Sequence, residues 1–308
     1  MLTRNSCPGG LGNTGNSGHS GIRFNPFVGS VIDGYCIERK IGGSRMSEVY
    51  LASKDEKKVV IKIPIDGERS RAFFEREVFL HGRFKHPNIV RFLDSGYADQ
   101  RKYLMLQYLP GGTLKTRNIL PMKLGEIREI LSQICSALSL LHGHGVVHRD
   151  VKLENVLNGE ADSGLPVVKL CDFGLSRIHG CNGRVTIGND ERYMDYGRVG
   201  TPVYMAPEIY LEKGYDHRVD IYACGILAYE LFTGSAPFIA EDVDGTRKLI
   251  ELHIRSKPKA PSTKMRLAAE KSVKDAVDDL VLKALAKKPS DRYQSVVEMA
   301  CDIARIPG

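Results

Sequence analysis

The chain has 308 residues, of which 42% are hydrophobic and 26% charged, and a formal net charge of +7. That balance excludes a disordered or fibrous chain, and the length allows a sizeable core split over two packed lobes. The mild positive charge suits a polyanion such as a nucleotide, but without a block of like charges it argues against nucleic acid as the main partner.

Residues 1–30 are dominated by Gly, Asn and Ser (GGLGNTGNSGHSG) and are too polar to bury apolar surface, so they predict a disordered leader. The N-terminus lacks an apolar signal core, and the longest apolar stretch, Ile221 to Tyr229, is too short to span a bilayer. Seven scattered cysteines without CxxC or zinc-like spacing read as reduced thiols, and together these features predict a cytoplasmic protein. From Tyr35 to Tyr108 come short β-type runs (YCIERKI, SEVYLAS, KVVIKI, IVRFLDSG, KYLMLQY), interrupted by one helical stretch. A small sheet with one helix is expected there.

After Pro110-Gly111-Gly112 the period changes. Ile127, Ile130, Leu131, Ile134, Leu138 and Leu141 recur at steps of three and four residues and predict a helix with one apolar stripe. Two more helices are expected over Asp220 to Leu231 and Val273 to Ala286, with a long polar stretch from Gly180 to Gly200.

The chemistry concentrates in three short segments. His148-Arg149-Asp150-Val151-Lys152-Leu153-Glu154-Asn155 is followed, seventeen residues after Asn155, by Asp172-Phe173-Gly174, and then by Ala206-Pro207-Glu208. In this order they resemble the signature of the eukaryotic-type protein kinase family. The runs MSEVYLA and VLKALAKKPSDRYQS are similar to bacterial members. The resemblance implies an α+β fold of two lobes: a β-rich one over about residues 31–108 and a mainly helical one over about 112–305, within a kinase domain of residues 31–308.

It also implies roles. Phosphoryl transfer mainly demands positioning and cationic stabilisation of spread charge. Asp150 would accept the hydrogen of the incoming hydroxyl, Lys152 would sit against the γ-phosphate, and Asn155 and Asp172 would hold Mg2+, an ion that prefers hard oxygen ligands. His148 and Phe173 would pack beneath the site. Val59-Val60-Ile61-Lys62 resembles the strand whose lysine contacts the α- and β-phosphates of ATP. Its carboxylate partner is Glu77, which shares a helix face with Phe73, Leu80 and Phe84, or alternatively Glu75.

The nucleotide-binding residues follow from the same resemblance. Ile41-Gly42-Gly43-Ser44-Arg45-Met46-Ser47-Glu48-Val49 aligns with the glycine-rich phosphate-covering loop, but Ser44 and Ser47 replace its second and third glycines. A side chain there could narrow the approach of backbone to phosphate. Leu106 would lie behind the adenine, Gln107 and Leu109 at its edge, and Ile41, Val49, Val60 and Leu157 would form apolar walls, with Cys171 lining the pocket. The expected centre is a cleft in which Lys62, Asp150, Asn155 and Asp172 converge on one nucleotide tail.

Lys152 two residues after Asp150, and Gly200-Thr201-Pro202 ahead of Ala206, resemble the pattern of serine/threonine kinases, and the resemblance implies Ser/Thr hydroxyls of protein substrates over Tyr. Thr201 would touch Asp150 and Lys152, Asp220 would brace the catalytic loop, and Arg292 would pair with Glu208. Arg149 resembles residues that grip an activation-loop phosphate, and among Ser176, Thr186, Tyr193, Tyr196 and Thr201 the expected autophosphorylation site is Thr186. The alternatives are an inactive kinase-fold scaffold and a kinase of small molecules.

Overall fold

A computed structural model describes residues 27–118, 121–159, 166–178, 200–240 and 245–307. Of the expected leader over residues 1–30, residues 1–26 lie outside the described residues, as does the stretch over 179–199 with Thr186, Tyr193 and Tyr196, while Phe27 in its last part is buried at 5% exposure. The chain forms two compact units, one running to Lys85 and including Arg91–Tyr108, the other made of His86–Val90 and the chain from Leu109 onward.

The first unit is a six-stranded antiparallel sheet with one helix. Its strands are β1 (Val31–Ile32), β2 (Tyr35–Gly43), β3 (Ser47–Lys54), β4 (Lys57–Pro64), β5 (Phe92–Ala98) and β6 (Arg101–Gln107), in the order β1-β2-β3-β4-β6-β5. The β5–β6 hairpin closes on Asp99 and Gln100, both at positive φ (47° and 62°), the geometry that lets two residues join strands of right-handed twist. Strand period sorts the side chains: Tyr50, Ala52, Val59, Ile61, Tyr103 and Met105 pack into one cluster with Phe27 and Ile37. Val49, Leu51, Val60, Lys62, Leu104 and Leu106 alternate with them and so take the opposite face.

Helix α1 (Glu68–Arg83) has acidic Glu68 in its first turn and Arg83 in its last, which complements the helix dipole. The expected strand IVRFLDSG starts late. Ile89 pairs in parallel with Leu170, and Val90 N donates to Leu170 O at 3.0 Å, so this short segment joins the second unit and β5 begins only at Phe92. Pro87 beside Asn88 breaks the strand pattern there, since proline cannot donate to a ladder.

In the second unit come α2 (Leu114–Arg117), α3 (Leu124–Gly143), β7 (Val146–Val147), β8 (Val156–Asn158), β9 (Val168–Leu170) and β10 (Arg177–Ile178). The helices α4 (Pro207–Tyr210), α5 (Arg218–Thr233), α6 (Gly245–Arg255), α7 (Lys271–Ala284) and α8 (Val296–Arg305) follow. All six stripe residues of α3 are at most 2% exposed. At roughly 2 kcal/mol per buried aliphatic side chain, that burial outweighs any difference in helix propensity along the segment.

Helix α5 is buried on all sides from Val219 to Thr233, the mark of a central core helix, and it ends at Gly234 in the left-handed conformation (φ 80°). A Cβ on Gly225 would lie 2.9 Å from both Ala284 Cβ and Leu285 Cδ2, so glycine sets the approach of α5 to α7. Gly225→Val should therefore overpack this contact and lower stability by about 1–3 kcal/mol in denaturant unfolding, with no change in exposed-surface slope.

Cys36 is disulfide-bonded, which corrects the expectation of reduced thiols throughout; Cys135, Cys171, Cys224 and Cys301 are free. Spacing along the chain does not reveal which cysteines meet in space.

Candidate active site

The catalytic-loop motif occupies a turn between β7 and β8, and the buried carboxylate of Asp220 at the start of α5 organises it. Asp220 Oδ2 accepts from His148 N and Oδ1 from Arg149 N, both at 2.8 Å, and His142 Nε2 lies 2.8 Å from Oδ2. Burial alone would raise this carboxyl, but the His142 bond, nearby His148 and the backbone amide bring it below the usual carboxylate range. A fully buried anion is tolerated only with several donors of this kind. They hold Arg149 in the left-handed region (φ 67°), which turns the next residue, Asp150, out of the strand direction.

Asp150 is 6% exposed and engaged from three sides. Its Oδ1 accepts from Thr201 Oγ1 at 2.9 Å, and its Oδ2 accepts from Asn155 Nδ2 at 2.8 Å and lies 2.7 Å from Lys152 Nζ. Lys152 Nζ also donates to Thr201 Oγ1 at 2.7 Å. The Thr201 hydroxyl thus receives from an ammonium and gives to a carboxylate, the relation a reacting alcohol needs beside a base.

His148 is taken up by packing and backbone contacts. It is fully buried, tilted against the Phe173 ring at 5.4 Å, with Nδ1 3.3 Å from Asp150 N and Nε2 3.2 Å from Cys171 O. One nitrogen must accept and the other donate, which is the neutral tautomer protonated on Nε2. Burial pulls the imidazole below its ordinary value despite the nearby carboxylates of Asp220, Asp150 and Asp172.

Two oxygen donors suit a hard cation. Asn155 spends Nδ2 on Asp150 Oδ2 and on Asp150 O at 2.9 Å, which leaves its Oδ1 as the remaining donor atom. Asp172, at φ 67°, follows Cys171, whose N donates to Asn155 O at 2.9 Å; Asp172 Oδ1 accepts from Gly174 N at 3.3 Å. Among the described residues no group of three or more His, Cys, Asp or Glu could hold a metal. Asn155 and Asp172 would offer two hard oxygens to Mg2+, an ion that draws its other ligands from water and phosphate.

Strand β9, which leads into Asp172, is fixed by residues that the motifs did not single out. Gln133 Oε1 accepts from Asn88 Nδ2 at 2.7 Å and Val168 N at 2.8 Å, and Gln133 Nε2 donates to Pro166 O at 2.7 Å. A lone glutamine beside an apolar stripe carries no sequence signal for this task. Ser176, one of the hydroxyls considered for modification, is fully buried and donates to His148 O at 3.3 Å.

In the first unit Lys62 Nζ donates to Glu77 Oε1 at 2.7 Å, with side chains 10% and 3% exposed. Glu75 pairs instead with Lys102. In β4 and β6, Val60 is opposite Leu106 and Lys62 opposite Leu104, and Gln107 N donates to Arg91 O at 2.9 Å. Val49, Val60 and Gln107 are half-buried, Ile41 is exposed and Leu106 is buried.

At the tip of the β2–β3 hairpin Gly42 and Gly43 pair with Val49 and Glu48. A Cβ on Gly43 would lie 3.0 Å from Ser47 O, so a side chain there would need the facing backbone to give by a few tenths of an ångström. Ser44 N donates to Ser47 O at 2.8 Å, while Ser44 Oγ accepts from Met46 N at 3.0 Å and Ser47 N at 3.3 Å. Ser47 is 4% exposed. The two serines thus fold into the loop's own backbone or into the protein. In the second unit Leu109 is buried, and half-buried Leu157 on β8 bridges to Thr113.

The family model described as "Protein kinase domain" matches residues 35–302. Serine/threonine-protein kinase Pkn1 of Myxococcus xanthus is 34% identical over 280 residues, covering 88% of this chain and 38% of that protein. Serine/threonine-protein kinase pkn3 of the same organism is 33% identical, covering 88% and 50%. PknB of Mycobacterium leprae, also a serine/threonine-protein kinase, is 32% identical, covering 89% and 43%. The chain thus spans half or less of the length of these relatives. With most of its length matched by one family model, the chain belongs to the protein kinase domain family.

Proposed function

We propose that the chain transfers the γ-phosphoryl group of ATP, with Mg2+, to Ser or Thr hydroxyls of protein substrates. The observation that carries this reading is the Asp150 carboxylate, which holds a threonine hydroxyl while Lys152 Nζ donates to that same oxygen. Asp150 orients the substrate hydroxyl and takes its proton; Lys152 balances charge on the phosphoryl oxygens next to it. Asn155 and Asp172 hold the metal, which neutralises phosphate charge when bound. Lys62, kept in place by Glu77, binds the α- and β-phosphates. Ile41, Gly42, Gly43, Ser44, Ser47 and Val49 cover the nucleotide, and Val60, Leu106, Gln107, Leu109 and Leu157 receive its base.

The names of the relatives support Ser/Thr over Tyr. Among the described residues no helix is long and apolar enough to cross a membrane, and we place the domain in the cytoplasm, where ATP is available. Autophosphorylation is assigned to Thr186 and is tested by mass mapping of the active protein with a Thr186→Ala control; an unmodified Thr186 together with normal activity of the variant would remove it.

The direct test is transfer of label from γ-labelled ATP, with magnesium, to a panel of proteins, followed by phosphoamino-acid analysis. Label on serine or threonine is expected, whereas label on tyrosine alone, on small molecules alone, or on nothing would overturn the reading. Lys62→Met should lower kcat/KM for ATP by about 10- to 100-fold, because a preorganised charge facing phosphate is lost.

A further inference from the structure

This inference rests on the kinase reading and concerns the serine where the family pattern has its second glycine. Successive backbone N–H groups that point at one spot form a nest, a concavity suited to an anion. At the β2–β3 tip the amides of Met46 and Ser47 converge on one oxygen, and that oxygen is Ser44 Oγ, at 3.0 and 3.3 Å. We propose that the Ser44 hydroxyl stands in for a nucleotide phosphate oxygen, so that ATP or ADP must displace it before the loop can close on phosphate.

The amides are held in place by other bonds. Met46 O accepts from Ile65 N at 3.0 Å, Met46 Sδ is 3.6 Å from Ser70 Oγ, and Ser47 is paired with Pro64 at the end of β4. Losing the Ser44 acceptor therefore frees two donors without releasing the peptides that carry them. Ser44 is itself exposed, so its hydroxyl can leave by turning about χ1. A charged phosphate oxygen forms bonds roughly twice as strong as a neutral hydroxyl does, so it wins the exchange, but the free state has already been stabilised by the internal bonds. Binding is weakened by that amount. The penalty falls on ligands with phosphates and spares the base and ribose.

The test is titration calorimetry of the wild type, Ser44→Ala and Ser44→Thr with MgADP and, separately, with adenosine. Ser44→Ala keeps the Cβ and removes the acceptor; it should bind MgADP about three- to tenfold more tightly, the factor for one modest hydrogen-bond contribution. Its adenosine affinity should rise less than its MgADP affinity, and Ser44→Thr, which keeps the hydroxyl, should lack the MgADP gain. Unchanged or weaker MgADP binding by Ser44→Ala would overturn the proposal and leave the kinase reading standing, as would an equal gain for adenosine, which would mark a general loosening of the loop. Failure of the wild type and both variants to bind either ligand would overturn the kinase reading and this proposal with it.

Discussion

Asp150→Asn should lower kcat by about two to four orders of magnitude at saturating ATP, the span attributed to a positioned general base. The substitution preserves volume and one acceptor oxygen. What it removes is the anion that Lys152 Nζ approaches at 2.7 Å and the ability to take a hydrogen from the hydroxyl now represented by Thr201 at 2.9 Å. Nucleotide affinity should stay within a few-fold, because the residues assigned to the phosphates and base remain. Single-turnover and steady-state assays with a Ser/Thr substrate separate the two quantities. A variant that retained more than a tenth of wild-type kcat would show that Asp150 is not the base.

Arg292→Ala should destabilise the second unit by about 3–5 kcal/mol, the cost of stranding a buried partner charge. Arg292 is fully buried in its side chain and uses its whole fork. Nη1 and Nη2 donate to Glu208 Oε1 and Oε2 at 2.7 and 2.8 Å, and further bonds run to Ala286 O at 2.7 Å, Arg218 O at 3.2 Å and Lys287 O at 3.1 Å. Truncation leaves a carboxylate and three carbonyls without these donors. Removing both charges as Glu208→Gln with Arg292→Met should cost less than Arg292→Ala alone, since no lone charge is then buried. Urea unfolding of the two variants decides it. A loss below about 1 kcal/mol for Arg292→Ala would mean the fork contributes little.

Much of this was legible in the residues because the signals are local. Val59-Val60-Ile61-Lys62 reads as a strand from its β-branched run, and the three- and four-residue steps from Ile127 to Leu141 read as one face of α3. Phe73, Glu77 and Leu80 share a face of α1, and that helical period separated Glu77, which meets Lys62, from Glu75, which meets Lys102. Helix α5 was harder to bound, because burial on every side erases the periodic stripe that marks an amphipathic helix.

What was hidden depends on contacts between distant residues. The apolar run at Ile89 and Val90 looks like the start of β5, yet its partner is Leu170, eighty residues further on. Gln133 gathers Asn88 and Val168 around β9, and nothing in its neighbours along the chain announces it. Ser44 was visible as a departure from a glycine pattern, but only the geometry shows its hydroxyl turned onto the amides of Met46 and Ser47.

The central claim is that Lys62, Asp150, Asn155 and Asp172 serve one bound nucleotide. A crystal structure of the chain with magnesium and a non-hydrolysable ATP analogue tests it most directly. The predicted result has Lys62 Nζ on the α- or β-phosphate, a magnesium ion ligated by Asn155 and Asp172, and Asp150 facing the terminal phosphate. Nucleotide bound away from these four side chains, or metal held by other residues, would contradict it.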